Sequence, residues 1–137
     1  MAVNTRFATG VHALLLLAAE PDVLQTSEDV ARKLNTNPVV IRRVFSLLQQ
    51  AELVESQKGP SGGSRLARSP KEISLADIYR ALNPGDVLHA ASVQSSQSKL
   101  NQTLHQVFKD AQRALEKELA QTSLSQLVKK TTKKDKH

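Results

Sequence analysis

The residues with the most evident chemistry lie in a glycine-rich, basic stretch, "SQKGPSGGSRLARSP", at positions 56–70. Its three glycines carry no Cβ, so the backbone there can approach a ligand closely. Lys58, Arg65 and Arg68 add positive charge beside them. Glycines next to cations are typical of loops that hold phosphate. The ligand could be a nucleotide in a pocket, the backbone of a DNA duplex, or none at all.

A nucleotide-binding P-loop is excluded by the residues that follow the last glycine. That motif needs a lysine and then a serine or threonine, with a helix beyond them. Here Ser64 and Arg65 enter a segment that we predict to be a strand. The stretch is therefore expected to contact a nucleic-acid backbone, and the alternative is a flexible hairpin that binds nothing.

The positive charge of the chain is concentrated in two segments. The net charge is +6, and the last nine residues hold five lysines against one aspartate, a net of +4. Residues 1–128 therefore carry 14 basic and 12 acidic groups. Within them, residues 32–71 contain only two acids, Glu52 and Glu55, against Arg32, Lys33, Arg42, Arg43, Lys58, Arg65, Arg68 and Lys71. Such a segment favours a polyanionic partner, and a solvated charged face is the alternative.

Neither catalysis nor metal binding has a convincing set of residues. The absence of cysteine excludes disulfides, thiolate metal ligands and cysteine nucleophiles. The four histidines are scattered, without metal-ligand spacing or paired carboxylates. His12 lies in an apolar segment and is predicted to be a hydrogen-bonded core residue. We therefore expect no enzyme activity, no cofactor and no metal site.

The apolar run "VHALLLLAA" (11–19) is interpreted as a buried helix. It is too short to cross a bilayer, and only one basic residue, Arg6, precedes it, which does not suit a signal peptide. We expect a soluble, cytoplasmic protein without a membrane partner.

The elements that must position the basic residues have clear start signals. Helical patterning is predicted over 5–19, and a second helix begins at a capping box formed by Thr26 and Asp29. A third helix is predicted from Pro38 to about Ala51, with Asn37 as its N-cap. Its buried stripe is Ile41, Val44, Phe45 and Leu48, and the opposite face is Val39, Arg42, Arg43, Ser46, Gln49 and Gln50.

Two short strands, 53–57 and 64–67, are predicted to flank the glycine-rich loop. Helix, three-residue turn, helix and hairpin is the order of a winged helix-turn-helix, in which the second helix enters the major groove. Arginine can bond guanine, asparagine can bond adenine, and valine can meet a thymine methyl. The candidate base readers are Asn37, Val39, Val40, Arg42 and Arg43. The alternative is a helical bundle whose third helix is basic without binding DNA.

The C-terminal third is predicted to associate with a second copy. A fourth helix begins at a capping box of Ser74 and Asp77, and "NPGD" (83–86) ends it. We assign 1–85 to the winged helix, 86–99 to a flexible loop, 100–128 to a dimerisation helix and a short capped terminal helix, and 129–137 to a disordered basic tail. The candidate interface is Leu100, Leu104, Val107, Phe108, Ala111, Leu115 and Leu119. The alternative is packing of this helix on the first one.

The ordered run Gly59-Pro60-Ser61-Gly62-Gly63, Leu66-Ala67, Pro70 and Ile73 to Ile78 resembles the Rrf2 family of bacterial transcription regulators. The resemblance covers nearly the whole chain. It implies a homodimeric winged helix-turn-helix, mainly α-helical with a small β-hairpin, whose long C-terminal helix is exchanged between protomers. It also implies DNA contacts from Arg6, from Asn37 to Arg43, and from the wing residues Lys58, Gly59, Ser61, Gly62, Gly63, Ser64 and Arg65.

One departure from the family limits what the resemblance implies. Members that bind a [2Fe–2S] cluster carry three cysteines in the loop before the long helix, which here reads "HAASVQSSQSKLN" (89–101). Hydroxyls do not replace thiolates as cluster ligands, so a cluster sensor is excluded. We expect a homodimeric repressor on a palindromic operator in double-stranded DNA, with an effector of unknown kind. The alternative is a protein-interaction regulator that docks an enzyme or signalling partner through the long helix and the loop.

Overall fold

The computed structural model describes residues 3–83 and 99–135. The helices are α1 (Val3–Ala19), α2 (Ser27–Leu34), α3 (Pro38–Gln50), α4 (Leu75–Leu82), α5 (Lys99–Leu119) and α6 (Leu124–Asp135), and the strands are β1 (Val54–Gln57) and β2 (Gly63–Leu66). A single 3-10 turn, Pro70–Glu72, precedes α4. None of the helices in those two ranges is both long enough and apolar enough to cross a membrane.

The helix-turn-helix formed by α2 and α3 is set by side-chain caps. Thr26 Oγ1 accepts a hydrogen bond from the Asp29 backbone N–H at 3.0 Å, and the Thr26 backbone N–H donates to Asp29 Oδ2 at 3.3 Å, so the predicted capping box is confirmed. Asn35 ends α2 in the left-handed conformation that asparagine tolerates. Asn37 then caps α3, as predicted, by accepting from the Val39 N–H at 2.9 Å. The turn geometry is therefore encoded locally.

The wing is an antiparallel hairpin that is joined to the rest of the domain by a backbone bridge. The β1–β2 register pairs Val54 with Leu66 and Gln57 with Gly63, within one residue of the predicted strand bounds. Gln25, in the α1–α2 connection, exchanges two backbone hydrogen bonds with Ser64 at 3.0 and 2.8 Å. The hairpin is thus held at its β2 edge as well as through its ends.

The core forms where α1, α3, α4 and α6 meet. All four residues of the predicted α3 stripe are buried, and they lie in one cluster with Ala13, Leu14 and Leu17 of α1, Ile78 and Leu82 of α4, and Leu124 of α6. Gly10 permits close contact between α1 and α4, because a Cβ there would lie 2.2 Å from Leu82 Cδ1. The Ser74–Asp77 capping box that starts α4 is also confirmed.

Helix α5 contacts the domain through its polar side. The Arg80 guanidinium of α4 donates to Glu116 of α5, and this hydrogen bond holds the pKa of the Glu116 carboxyl below its ordinary value. α5 contains no buried residue, and Leu100, Leu104, Val107 and Leu115 stay exposed on its surface. The main contacts of α5 are with α4, while α6 packs against α1. Of the seven residues predicted on the apolar face of α5, Phe108 and Leu119 are partly buried, and the other five are exposed in a single chain.

Two expectations differ from the structure. His12 is exposed on α1 and not in the core, because it falls on the face of α1 opposite Leu14 and Leu17. α6 continues to Asp135, beyond the predicted end of the helix near Val128 and into the segment predicted to be a disordered tail. Lysine and threonine do not break a helix, and Thr131 Oγ1 donates to the Leu127 carbonyl at 2.8 Å. The predicted loop at 86–99 lies, apart from Lys99, outside the described residues.

Candidate nucleic-acid interface

The outward face of α3 presents the side chains that could enter a DNA groove. Val39 is 54% exposed, and Arg42 and Arg43 are exposed one turn further along. They point outward because Ile41, Val44, Phe45 and Leu48 anchor the opposite face in the core. Arg43 makes no ion pair within the part of the chain that the structure describes. α3 therefore carries one unpaired guanidinium beside an exposed valine.

Asn37 and Val40 are more constrained than the sequence suggests. Asn37 Oδ1 already accepts the Val39 N–H as the helix cap, so a bidentate contact with adenine would have to share that oxygen. The Asn37 amide nitrogen remains available as a donor. Val40 is only partly exposed. Both residues lie at the start of α3, where base contacts are expected, and Asn37 also caps the helix.

Arg42 is paired with an acid from the other helix of the motif. Its guanidinium donates from Nη2 to Oε1 of Glu28, in the first turn of α2. This hydrogen bond holds the pKa of the Glu28 carboxyl below its ordinary value, so the acid is charged at neutral pH. The side chains are 55% and 57% exposed, which leaves the pair accessible to solvent and to a ligand.

The wing divides into an exposed tip and a structural base. Lys58, Gly59 and Ser61 are exposed at the tip, and Gly59 (φ +111°) has nothing within 4 Å of the position where a Cβ would stand. A Cβ on Gly62 would lie 2.1 Å from the Gln57 carbonyl oxygen. Gly63 has a φ of +152°, and its Cβ would lie 2.9 Å from the backbone of the α1–α2 connection. Gly62 and Gly63 are therefore required by the hairpin itself.

The remaining wing residues also have partners inside the protein. Ser64 is buried, and its Oγ lies 2.8 Å from the Oγ of Ser56. Arg65 Nε donates to Glu55 Oε1 at 2.7 Å, across the hairpin. Lys58 makes no ion pair among the described residues. The cation best placed to meet a phosphate is thus Lys58, at the tip.

Arg6 lies at a different place in the structure. Its Nη1 donates to the Leu82 carbonyl at 3.0 Å, which satisfies a backbone acceptor at the C-terminal end of α4. The side chain is partly buried there, between α1 and α4. In this conformation Arg6 ties two helices of the core together.

Sequence reasoning missed the acids and the amide that organise this surface. Glu28 and Glu55 neutralise two of its arginines, and Gln25 holds the hairpin in place. Only the antiparallel register of the hairpin, which places Glu55 opposite Arg65, could have been worked out from the sequence. The described residues contain no group of three or more histidines and carboxylates able to hold a metal. The surface suits polyanion binding and has no evident nucleophile.

Known proteins with similar sequences and structures are transcription regulators. The family model Rrf2, described as an iron-dependent transcriptional regulator, matches residues 3–130. A Bacillus subtilis (strain 168) protein named "Putative HTH-type transcriptional regulator YwnA" is 37% identical over 131 residues, covering 92% of this chain and 96% of the relative.

Two solved regulators share the fold. The structure titled T. potens IscR superposes with a TM-score of 0.71 and 25% identity, over 96% of this chain and 88% of that one. CymR, titled the global cysteine regulator of B. subtilis, gives a TM-score of 0.69 over 94% and 97% of the two chains, and its 22% identity supports the fold alone.

The family description mentions iron, and here the composition of this chain matters. Thiolates are the usual ligands of protein-bound iron–sulfur clusters, and the sequence contains no cysteine. The fold is a winged helix-turn-helix with a two-stranded hairpin, as predicted. The chain belongs to the Rrf2 family of DNA-binding transcriptional regulators, as a member without the cysteine ligands of a cluster.

Proposed function

We propose that the protein is a homodimeric repressor that binds a palindromic operator through α3 and the wing. The observation that carries the proposal is the exposed face of α3, where Val39, Arg42 and Arg43 stand over a fully buried stripe. A helix presented in this way fits the major groove, and its first turns reach the base edges.

The contacts divide by chemistry into readers and anchors. Arg43 and Arg42 are assigned to base edges, because a guanidinium can bond guanine O6 and N7 together. Val39 is assigned to a thymine methyl. Lys58 at the wing tip is assigned to a phosphate, since a flexible ammonium on a hairpin tip attracts the backbone irrespective of sequence. Gly62, Gly63 and Ser64 act indirectly, by shaping the wing.

The homodimer is supported by the exposed apolar face of α5. Four large apolar side chains there are between 37% and 68% exposed, on a helix that contains no buried residue. A soluble monomer rarely leaves a continuous apolar stripe of this length in water. A second copy of the same helix is the simplest cover, and a two-fold dimer matches a palindromic site.

Repression is proposed because a dimer bound over a promoter would block RNA polymerase. The test is to incubate the purified protein with fragments of its source genome, recover the bound fragments and footprint the preferred one. We expect a protected site with two-fold symmetry, and reduced transcription from that promoter in a purified system. Binding to all fragments alike would refute sequence-specific recognition, and increased transcription would refute repression.

The same experiment separates the alternative of a protein-interaction regulator. If the protein protects no fragment but forms a stoichiometric complex with an enzyme or signalling protein through α5, the DNA-binding role is not its function. The YwnA and IscR comparisons support DNA binding over that alternative.

A further inference from the structure

The surface assigned to DNA binding contains an acidic residue that competes with DNA for one of the arginines. Glu28 lies in the first turn of α2, and its carboxylate pairs with the Arg42 guanidinium of α3. More than half of each side chain is exposed, so the pair can open without disturbing the core. Pairs of this kind hold together weakly in water.

Glu28 lies at a position of the motif where a carboxylate is unfavourable for DNA binding. In a helix-turn-helix the first helix crosses the DNA backbone. The N-terminus of a helix attracts phosphate through its free N–H groups. A carboxylate in this turn repels an approaching phosphate, and it also engages the cation that would otherwise neutralise that phosphate.

The Arg42–Glu28 pair leaves part of the guanidinium free. Arginine has five N–H donors in a fixed plane, and the contact with Glu28 is made through Nη2. While the pair is formed, it sets the direction of the Arg42 side chain, so the remaining donors can meet a base edge at one position. The same donors are less free to move and bind DNA phosphates.

We propose that Glu28 is a specificity-determining residue that withholds Arg42 from DNA phosphates and directs it to a base edge. The inference rests on the proposed role of α3 in reading DNA. It implies that Glu28 weakens binding to arbitrary duplexes more than it weakens binding to the operator.

The test compares Glu28→Gln with wild type on two duplexes, one selected by wild-type protein from a random pool and one with the same bases shuffled. We expect the variant to bind the shuffled duplex about fivefold more tightly, as the loss of one exposed competing ion pair allows. Its plot of log affinity against log salt should steepen by about one on that duplex, as one added phosphate contact predicts. The affinity for the selected duplex should increase less, so the ratio of the affinity for the selected duplex to that for the shuffled duplex should fall.

Two controls separate this role from a general effect of charge. Glu72→Gln makes the same change in net charge on the exposed 3-10 turn, which contacts α6, and should leave the affinity ratio unchanged. In an Arg42→Ala background, Glu28→Gln removes only the direct repulsion of phosphate, so the salt slope on the shuffled duplex should no longer steepen by about one.

The inference is overturned if Glu28→Gln leaves the affinity ratio unchanged, or raises it, while wild type still prefers the selected duplex. It is also overturned if the steeper salt slope of Glu28→Gln on the shuffled duplex persists in the Arg42→Ala background. If wild type shows no preference for any selected duplex, the proposed DNA-reading function fails first, and that outcome is distinct from the others.

Discussion

The apolar face of α5 gives the most direct prediction, because one substitution should separate folding from self-association. Val107 is 54% exposed and lies on the open stripe. Val107→Glu introduces a charge there without touching the core, since α5 contains no buried residue. The single chain should therefore keep its fold, while the dimer should be lost.

The magnitude follows from the surface that remains exposed. Leu100, Leu104, Val107 and Leu115 together leave apolar surface equivalent to about two whole side chains in water. Burying them contributes about 3–6 kcal/mol per protomer before the costs of association. Losing half a valine from each protomer removes about 2 kcal/mol, and desolvating two unpaired carboxylates costs at least about 2 kcal/mol more. A loss of about 4 kcal/mol raises the dimer Kd about 1,000-fold.

Sedimentation velocity over a range of protein concentrations measures this change. Gln102→Glu is the matched control, because it adds the same charge to an exposed position on the opposite side of α5. The control should sediment as wild type does, and Val107→Glu should sediment as a folded monomer. If wild type is itself monomeric at high micromolar concentration, or if Val107→Glu remains dimeric, the stripe is not the dimer interface.

Three further predictions concern DNA binding, the wing and acid stability. Arg43→Ala should flatten the preference among operator variants in a competition assay, whereas Lys58→Ala should weaken binding to all duplexes alike and reduce the salt slope by about one. Gly62→Ala should lower the melting temperature and disorder the hairpin, because its Cβ meets a backbone oxygen, while Gly59→Ala adds only strain at an open tip. The ion pair with Arg80 lowers the pKa of Glu116 in the folded state. The contribution of Glu116 to the free energy of unfolding is therefore present above its ordinary pKa of 4.5, and it is lost as the pH falls through the lower pKa of the folded state. Urea unfolding of Glu116→Gln should therefore show a weaker acid dependence than wild type.

Local signals made most of the fold predictable. The Thr26 and Ser74 capping boxes, the Asn37 cap and the period of the α3 stripe each depend on residues within seven positions of one another. Such signals set element starts and buried faces regardless of the rest of the chain. The same signals, taken along the chain, gave the order of the elements, and the bounds of the strands differed by a single residue.

The arrangement of the site was less predictable, because its key contacts join distant parts of the chain. Arg42 meets Glu28 across 14 positions, and Arg6 meets the Leu82 carbonyl across 76. The amino-acid composition shows that both arginines are present, but it does not show which group each of them contacts. His12 was misplaced for a related reason, since a nearly uniform apolar helix does not show which side will face solvent.

The internal pairing of cations connects DNA binding to dimerisation. Of the four cations on α3 and the hairpin from Lys58 to Arg65, Arg42 and Arg65 are neutralised by acids, which leaves Arg43 and Lys58 unpaired. Even if Arg43 neutralised a phosphate as Lys58 does, two such contacts per protomer would give a salt slope of only about −2, and four in a dimer about −3.6. A monomer with so few contacts binds DNA weakly, so Val107→Glu should also weaken operator binding and roughly halve the salt slope. A monomeric variant that keeps the full slope would show that cations outside α3 and this hairpin supply the contacts.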